Sequence, residues 1–92
     1  MIKRFRHKGL EKLATSGDTR GVSAQHAKRL RRLLLSLSTA TSPLNMNIAG
    51  YRLHQLTGDL KGLWAVSVSG NWRLVFRFEG DDATDVDLID YH

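Results

Sequence analysis

The chain changes its hydrophobic rhythm once, near residue 50. Before that point apolar residues recur every three to four positions, and after it they alternate with polar ones. Residues 2–6 ("IKRFR") have the length and composition of a short edge strand. "KGLEKLATSG" follows, with Leu10, Leu13 and Ala14 at helical spacing and Gly17 placed to end the helix. The clearest helix is "SAQHAKRLRRLLLSLSTA". Ser23 is its expected N-cap, and Ala27, Leu30, Leu33, Leu34 and Leu37 form one apolar stripe. Lys28, Arg29, Arg31 and Arg32 fall mostly off that stripe, toward solvent. Pro43, after a run of Ser and Thr, marks the far end of a loop.

The second half reads as four strands: "GYRLHQL", "GLWAVSV", "WRLVFRF" and "TDVDLIDYH", with Gly50 suggesting a bulge in the first. Trp64, Val66 and Val68 share one face, as do Trp72, Leu74, Phe76 and Phe78 on the next strand. A two-residue turn at Gly70-Asn71 sets these two groups on opposite faces. A loop of residues 69–71 pairs Val68 with Trp72 and keeps them in phase, so the longer loop is expected. The aromatic face then packs on the helices. The opposite face carries Ser67, Arg73, Val75 and Arg77, and is polar and basic at one end.

For the following hairpin, a loop from Glu79 to Ala83 places Arg77 opposite Asp85 as an ion pair, and Arg73 opposite Ile89. Strict alternation then puts Val86 and Leu88 on one face with Asp90 and His92. Either Asp90 is buried and hydrogen-bonded, or a bulge near Leu88 shifts the register and brings His92 to the Arg73 face. The bulge is the favoured expectation. The sum is an α+β fold in a single domain, residues 1–92. Two N-terminal helices pack on one face of a mainly antiparallel sheet of about four strands.

Charge sharpens this picture. All fourteen Lys and Arg lie in residues 1–78 with three acids, whereas residues 79–92 hold six acids and no base, for a net charge of +5. A body this basic attracts phosphate backbones over long range. The chain has no cysteine, hence no disulfide and no thiolate metal site, which fits a reducing compartment. Its first residues are too charged for a signal peptide and no apolar run is long enough for a membrane span. A cytoplasmic protein without membrane association is expected.

No P-loop, GxGxxG, nucleophile elbow or HExxH spacing occurs. The polar groups that remain suit metal-free RNA cleavage through the substrate's own 2′-hydroxyl. That reaction needs a base for the hydroxyl proton, an acid for the leaving oxygen and a cation for the phosphate. His92 and His54 are the candidate proton carriers, with Asp90 and Tyr91 beside His92. Arg73 is the candidate phosphate clamp, because its fork matches two oxygens. Lys61 and Asn71, in loops, and the Lys28, Arg29, Arg31 and Arg32 run are candidate RNA contacts. For the helix run a merely solvated face is the commoner case. No metal or cofactor is expected.

"MIKRFRHKGLEKL", "YRLHQLTGDLKGLWAVSVSGNWRLVFRF" and the final "IDYH" together resemble the RelE/HigB superfamily of bacterial toxins, HigB-type branch, over the whole chain. The pairing of "NWRLVF" with "DYH" is the specific part. The resemblance implies a microbial-RNase-like fold and a toxin that cuts translated mRNA in the ribosomal A site without metal. It also implies a helix-turn-helix antitoxin (HigA-like), with operator DNA reached only through the toxin–antitoxin complex. Carried over to this chain, Arg73 would hold the scissile phosphate and His92 would serve as general acid or base. Asp90 and Tyr91 would support it, and His54 sits where a site histidine can occur. Family members often have Lys where this chain has Thr57, and some have Arg near Ser69. Both departures remove positive charge, so the resemblance implies a weakened nuclease. The alternative is an idle RNA- or antitoxin-binding module of the same fold.

Overall fold

The structure, a computed structural model, describes residues 1–91. Helix α1 spans Lys8–Ser16. Its first turn is capped by His7, whose Nδ1 accepts the Leu10 N–H at 3.1 Å. Gly17 ends it in the left-handed conformation (φ 72°), and its N–H bonds the Leu13 carbonyl. Helix α2 spans Ala24–Thr39. Ser23 occupies the N-cap position, but its side chain makes no capping hydrogen bond. All five residues of the expected stripe are buried, and Leu10 and Leu13 of α1 join them, whereas Ala14 is exposed.

The backbones meet where the helices approach each other. A Cβ built on Gly9 would overlap the Gly21 carbonyl, and one on Gly21 would lie 2.6 Å from the Gly9 Cα. Both glycines are therefore required by space rather than by a turn.

Strands β1 (His54–Gln55), β2 (Trp64–Ser69), β3 (Trp72–Glu79) and β4 (Asp82–Asp90) form an antiparallel meander in the order β1-β2-β3-β4. The α+β architecture is as expected. The helices cover the face that carries Val66, Val68, Leu74, Phe76 and Val86. Residues 2–6 pair with the outer edge of β4 through two parallel bridges, Ile2 to Ala83 and Phe5 to Val86. Among the described residues, no helix is long and apolar enough to cross a membrane.

Several expectations about register need correction. The strand read over residues 50–56 shrinks to two residues because Gly50 (φ 90°) and Arg52 (φ 56°) both turn the chain. Val68 does not face Trp72. A two-residue turn at Gly70-Asn71 pairs Ser69 with Trp72, and a bulge then absorbs Val68. Below the bulge Val66 faces Leu74 and Trp64 faces Phe76, which is the in-phase arrangement that the apolar pattern demanded.

The β3–β4 hairpin also turns on two residues, Gly80-Asp81, with Glu79 facing Asp82. Arg77 faces Thr84 rather than Asp85. The bulge lies between the Val75 and Arg77 pairings, at Asp85 (φ 53°), and not near Leu88. Leu88 and Asp90 therefore stay in phase opposite Leu74 and Trp72, and Arg73 faces Ile89 as expected. Asp90 is exposed, not buried, because its partner Trp72 lies at the open end of the sheet.

The bulge aims Asp85 at two arginines. Its Oδ1 accepts from Arg4 Nε at 2.7 Å and its Oδ2 from Arg77 Nε at 2.6 Å. Arg77 also bonds Glu79, which pairs with Lys3 at 2.9 Å. This chain of charges fastens the start of the protein to the far hairpin. Burial on its own raises the Asp85 carboxyl, but the hydrogen bonds from Arg77 and Arg4 outweigh it and hold the group below the ordinary aspartate value of 3.8. A depressed folded value stabilises the protein above the ordinary range, and that stability fades as pH falls through the folded value. Asp85→Asn is expected to lower stability by about 1.5–3 kcal/mol at pH 7. In thermal melts the gap from wild type should narrow as pH drops below 3.8.

Candidate active site

The face of the sheet turned away from the helices gathers three of the candidate side chains, His54, Arg73 and Tyr91. His54 faces Ala65, which faces Val75, and one step along Ser67 faces Arg73, which faces Ile89. The Tyr91 N–H continues the ladder to the Asn71 carbonyl at 2.7 Å. Since strand side chains alternate, His54, Ser67, Arg73, Ile89 and Tyr91 share this face.

The face is not simply polar, as the alternation suggested. Leu56, Ala65 and Val75 form a small buried cluster, with Leu60, Leu63, Ile89 and Tyr91 against it. The loop after β1 folds back to supply Leu60 and Leu63. The polar groups thus stand at the rim of a small apolar floor, which fixes the strands beneath them.

Arg73 is half-buried. Its Nη1 donates to the Gly70 carbonyl at 2.7 Å and to the Trp72 carbonyl at 3.1 Å, which curls the guanidinium back over the Gly70-Asn71 turn. Its Nε has no hydrogen-bond partner among the described residues. It makes no ion pair there either, unlike Arg77, whose two carboxylate partners occupy its fork. The guanidinium keeps donor capacity that its surroundings do not use.

His54 is exposed, and its Nδ1 lies 2.9 Å from the Arg52 carbonyl oxygen. A carbonyl only accepts, so the neutral ring carries its proton on Nδ1 and leaves Nε2 as a proton acceptor. The left-handed turn at Arg52 sets up this contact. His54 lies two strand spacings from Arg73, about 10 Å, and one two-residue step along the sheet, about 7 Å. That gap is too wide for a direct hydrogen bond between them.

Asp90 is exposed opposite Trp72, Tyr91 is half-buried against the apolar floor, and Asn71 is exposed in the turn. Lys61 is exposed between Leu60 and Leu63 on the loop that closes this face. His92 lies outside the described residues. Thr57 and Ser69 are both exposed.

The structure does not bring the α2 bases to this site. Lys28, Arg31 and Arg32 are exposed on the helix layer, across the sheet from Arg73. Arg29 is not solvated as expected: its guanidinium stacks on the Tyr51 ring at 4.2 Å and donates to the Gly50 carbonyl. A hollow of about 370 Å³ beside Leu13, Leu34, Leu35, Arg31 and Arg32 also lies on that layer.

Three of the six C-terminal acids neutralise bases near the start of the chain or on β3. Glu79 and Asp85 pair with Lys3, Arg4 and Arg77, and Asp82 lies near the terminal amine. Half of the acidic segment is therefore taken up at the far end of the sheet, away from the Arg73 end. Sequence reasoning also passed over His26 and Trp72, which meet edge to face at this end.

Fold and site together define a small basic α+β protein with an arginine and an imidazole on one sheet face. The sequence matches the family described as RelE-like toxin of type II toxin–antitoxin system HigB over residues 3–92. It is 44% identical over 92 residues to Endoribonuclease HigB of Proteus vulgaris, covering 100% of both chains. The chain belongs to the HigB-type RelE-like toxins.

Proposed function

We propose that this toxin is a ribosome-dependent endoribonuclease that cuts translated mRNA at a phosphate held by Arg73. Membership of a toxin–antitoxin family and the 44% identical relative named as an endoribonuclease support RNA cleavage. The observation that carries the phosphate role is that Arg73, free of ion pairs among the described residues, lies on the same face as His54 and Tyr91, its Nη1 bonded only to backbone carbonyls.

In this reading a base removes the 2′-hydroxyl proton, and the oxygen attacks the adjacent phosphorus. The P–O5′ bond breaks, and an acid protonates the leaving 5′-oxygen. The products are a 2′,3′-cyclic phosphate and a 5′-hydroxyl end. Arg73 stabilises the charge that builds on the non-bridging oxygens. His54 Nε2 and His92 share the two proton transfers, and Asp90 and Tyr91 position His92. Lys61 and Asn71 contact the RNA from the flanking loops, while Lys28, Arg31 and Arg32 meet RNA or protein outside the cut.

The sparse catalytic set, with a wide gap between His54 and Arg73, favours a reaction that needs the ribosome to hold the message in place. The partner is a protein antitoxin, of helix-turn-helix HigA-like type, and operator DNA is met only through their complex. The site of action is the cytoplasm. The test adds purified toxin to defined mRNA, free and in programmed ribosome complexes, and maps the new 5′ ends. Cleavage confined to the ribosome-bound message supports the reading. Equal cutting of both removes the ribosome from it, and no cutting of either leaves an idle binding module.

Thr57 and Ser69 leave the rim of the site with less positive charge than a Lys or Arg would give. Thr57→Lys is expected to raise the cleavage rate about tenfold, the effect of one added charge-assisted contact. Single-turnover kinetics on ribosome-bound mRNA measures this.

A further inference from the structure

Trp72 differs from the other aromatic residues of its strand. Phe76 is fully buried, yet Trp72 keeps 38% of its surface open at the end of the same face. Its ring is met edge-on by His26 of α2, with centroids 5.9 Å apart and planes at 61°. His26 is only 3% exposed, and its Nε2 has no hydrogen-bond partner among the described residues. A buried ring nitrogen without a partner is a cost that a leucine or phenylalanine would avoid. Core packing alone does not account for a histidine there. What the ring does is brace the indole at a fixed inclination while leaving much of it open.

The braced indole belongs to the same backbone unit as the phosphate clamp. Arg73 Nη1 donates to the Trp72 carbonyl at 3.1 Å, Asn71 precedes Trp72 in the turn, and Asp90 faces Trp72 across the ladder. RNA that crosses the open end of the sheet would present a phosphate to Arg73 on one side and an adjacent base to Trp72 on the other. Unpaired bases bind aromatic planes by stacking, with little demand on base identity.

We propose that Trp72, braced by His26, is a stacking platform for a nucleobase flanking the phosphate held by Arg73. Trp72 is the contacting residue and His26 a positioning residue. The proposal rests on the reading of Arg73 as the phosphate clamp.

The test measures kcat/KM on ribosome complexes carrying intact mRNA, or mRNA with an abasic nucleotide at either position beside the mapped cut. Trp72→Leu should lower kcat/KM about tenfold on intact message. One abasic position should lower the wild-type value by a similar factor, and Trp72→Leu should lose nothing further on that substrate. Trp72→Phe, which keeps a ring and a near-native core edge, should retain most of the activity. His26→Leu should melt no lower than wild type yet lose part of the same factor, and only on intact message. Losses that multiply at both abasic positions overturn the platform, as does Trp72→Leu acting like wild type. Arg73→Ala is the separate control. If it cuts as fast as wild type, the clamp reading fails, whatever Trp72 does.

Discussion

Arg73→Ala is expected to lower the cleavage rate by about 10²–10³-fold, the usual consequence of removing one positioned donor from a developing oxyanion. The protein should keep its fold. The side chain is half-buried, and its hydrogen bonds go to two carbonyls at a solvent-exposed turn. Arg73→Lys separates charge from shape. It keeps the cation but not the fork, so it should recover only part of the loss. Arg77→Ala should do the reverse. Its guanidinium is committed to Asp85 and Glu79, so removing it should cost stability with little effect on chemistry. Single-turnover rates and melting temperatures of the three variants, read side by side, check this division.

Gly9→Ala is expected to destabilise the fold by steric overlap alone. At an open helical site the change would add about 1 kcal/mol of helix propensity. Here the new methyl group meets the Gly21 backbone, which cannot swing aside as a long side chain can. The α1 start and the approach to α2 must move apart, and overpacking of this kind costs about 1–3 kcal/mol or more. The overlap wins over propensity, so a net loss of about 2 kcal/mol is expected, or a fall of roughly 8–16 °C in melting temperature. Gly17→Ala is a useful comparison. It meets no atom within 4 Å and pays only for its positive φ. A Gly9→Ala protein that melts no lower than Gly17→Ala would contradict the contact.

The helices were legible because a single apolar stripe leaves few alternatives: Ala27, Leu30, Leu33, Leu34 and Leu37 are all buried. The sheet was legible in phase but not in detail. Alternation required that one residue be absorbed before Val66 met Leu74, and one before Leu88 met Leu74 from the other side. It did not say where. Backbone conformation decided that, through Gly70 and Gly80 at positive φ in two-residue turns and Asp85 at φ 53° in the bulge. The small cluster on the far face was hidden for a different reason. Leu56, Leu60 and Leu63 lie in a segment with no regular period, so only its fold-back places them together.

The site followed the same division. Register alone put Arg73 opposite Ile89, and the chemistry of the residue types singled out His54 and Tyr91. The α2 bases were grouped with the site by charge, which carries no information about faces, and they lie across the sheet. The bracing of Trp72 by His26 joins two elements 46 positions apart, and neither residue breaks its local pattern enough to signal it.

The central claim is that Arg73 and the Asp90-Tyr91-His92 segment act on one RNA phosphate. Its most direct test is a double-mutant cycle of Arg73→Ala and His92→Ala, with single-turnover cleavage measured on ribosome-bound mRNA. Groups that act as a unit lose far less together than the product of their separate losses. The account predicts a double variant about as slow as the slower single one, cutting at the wild-type position. A double variant whose loss equals the product of the two, or a His92→Ala protein that cuts at the wild-type rate, would contradict it.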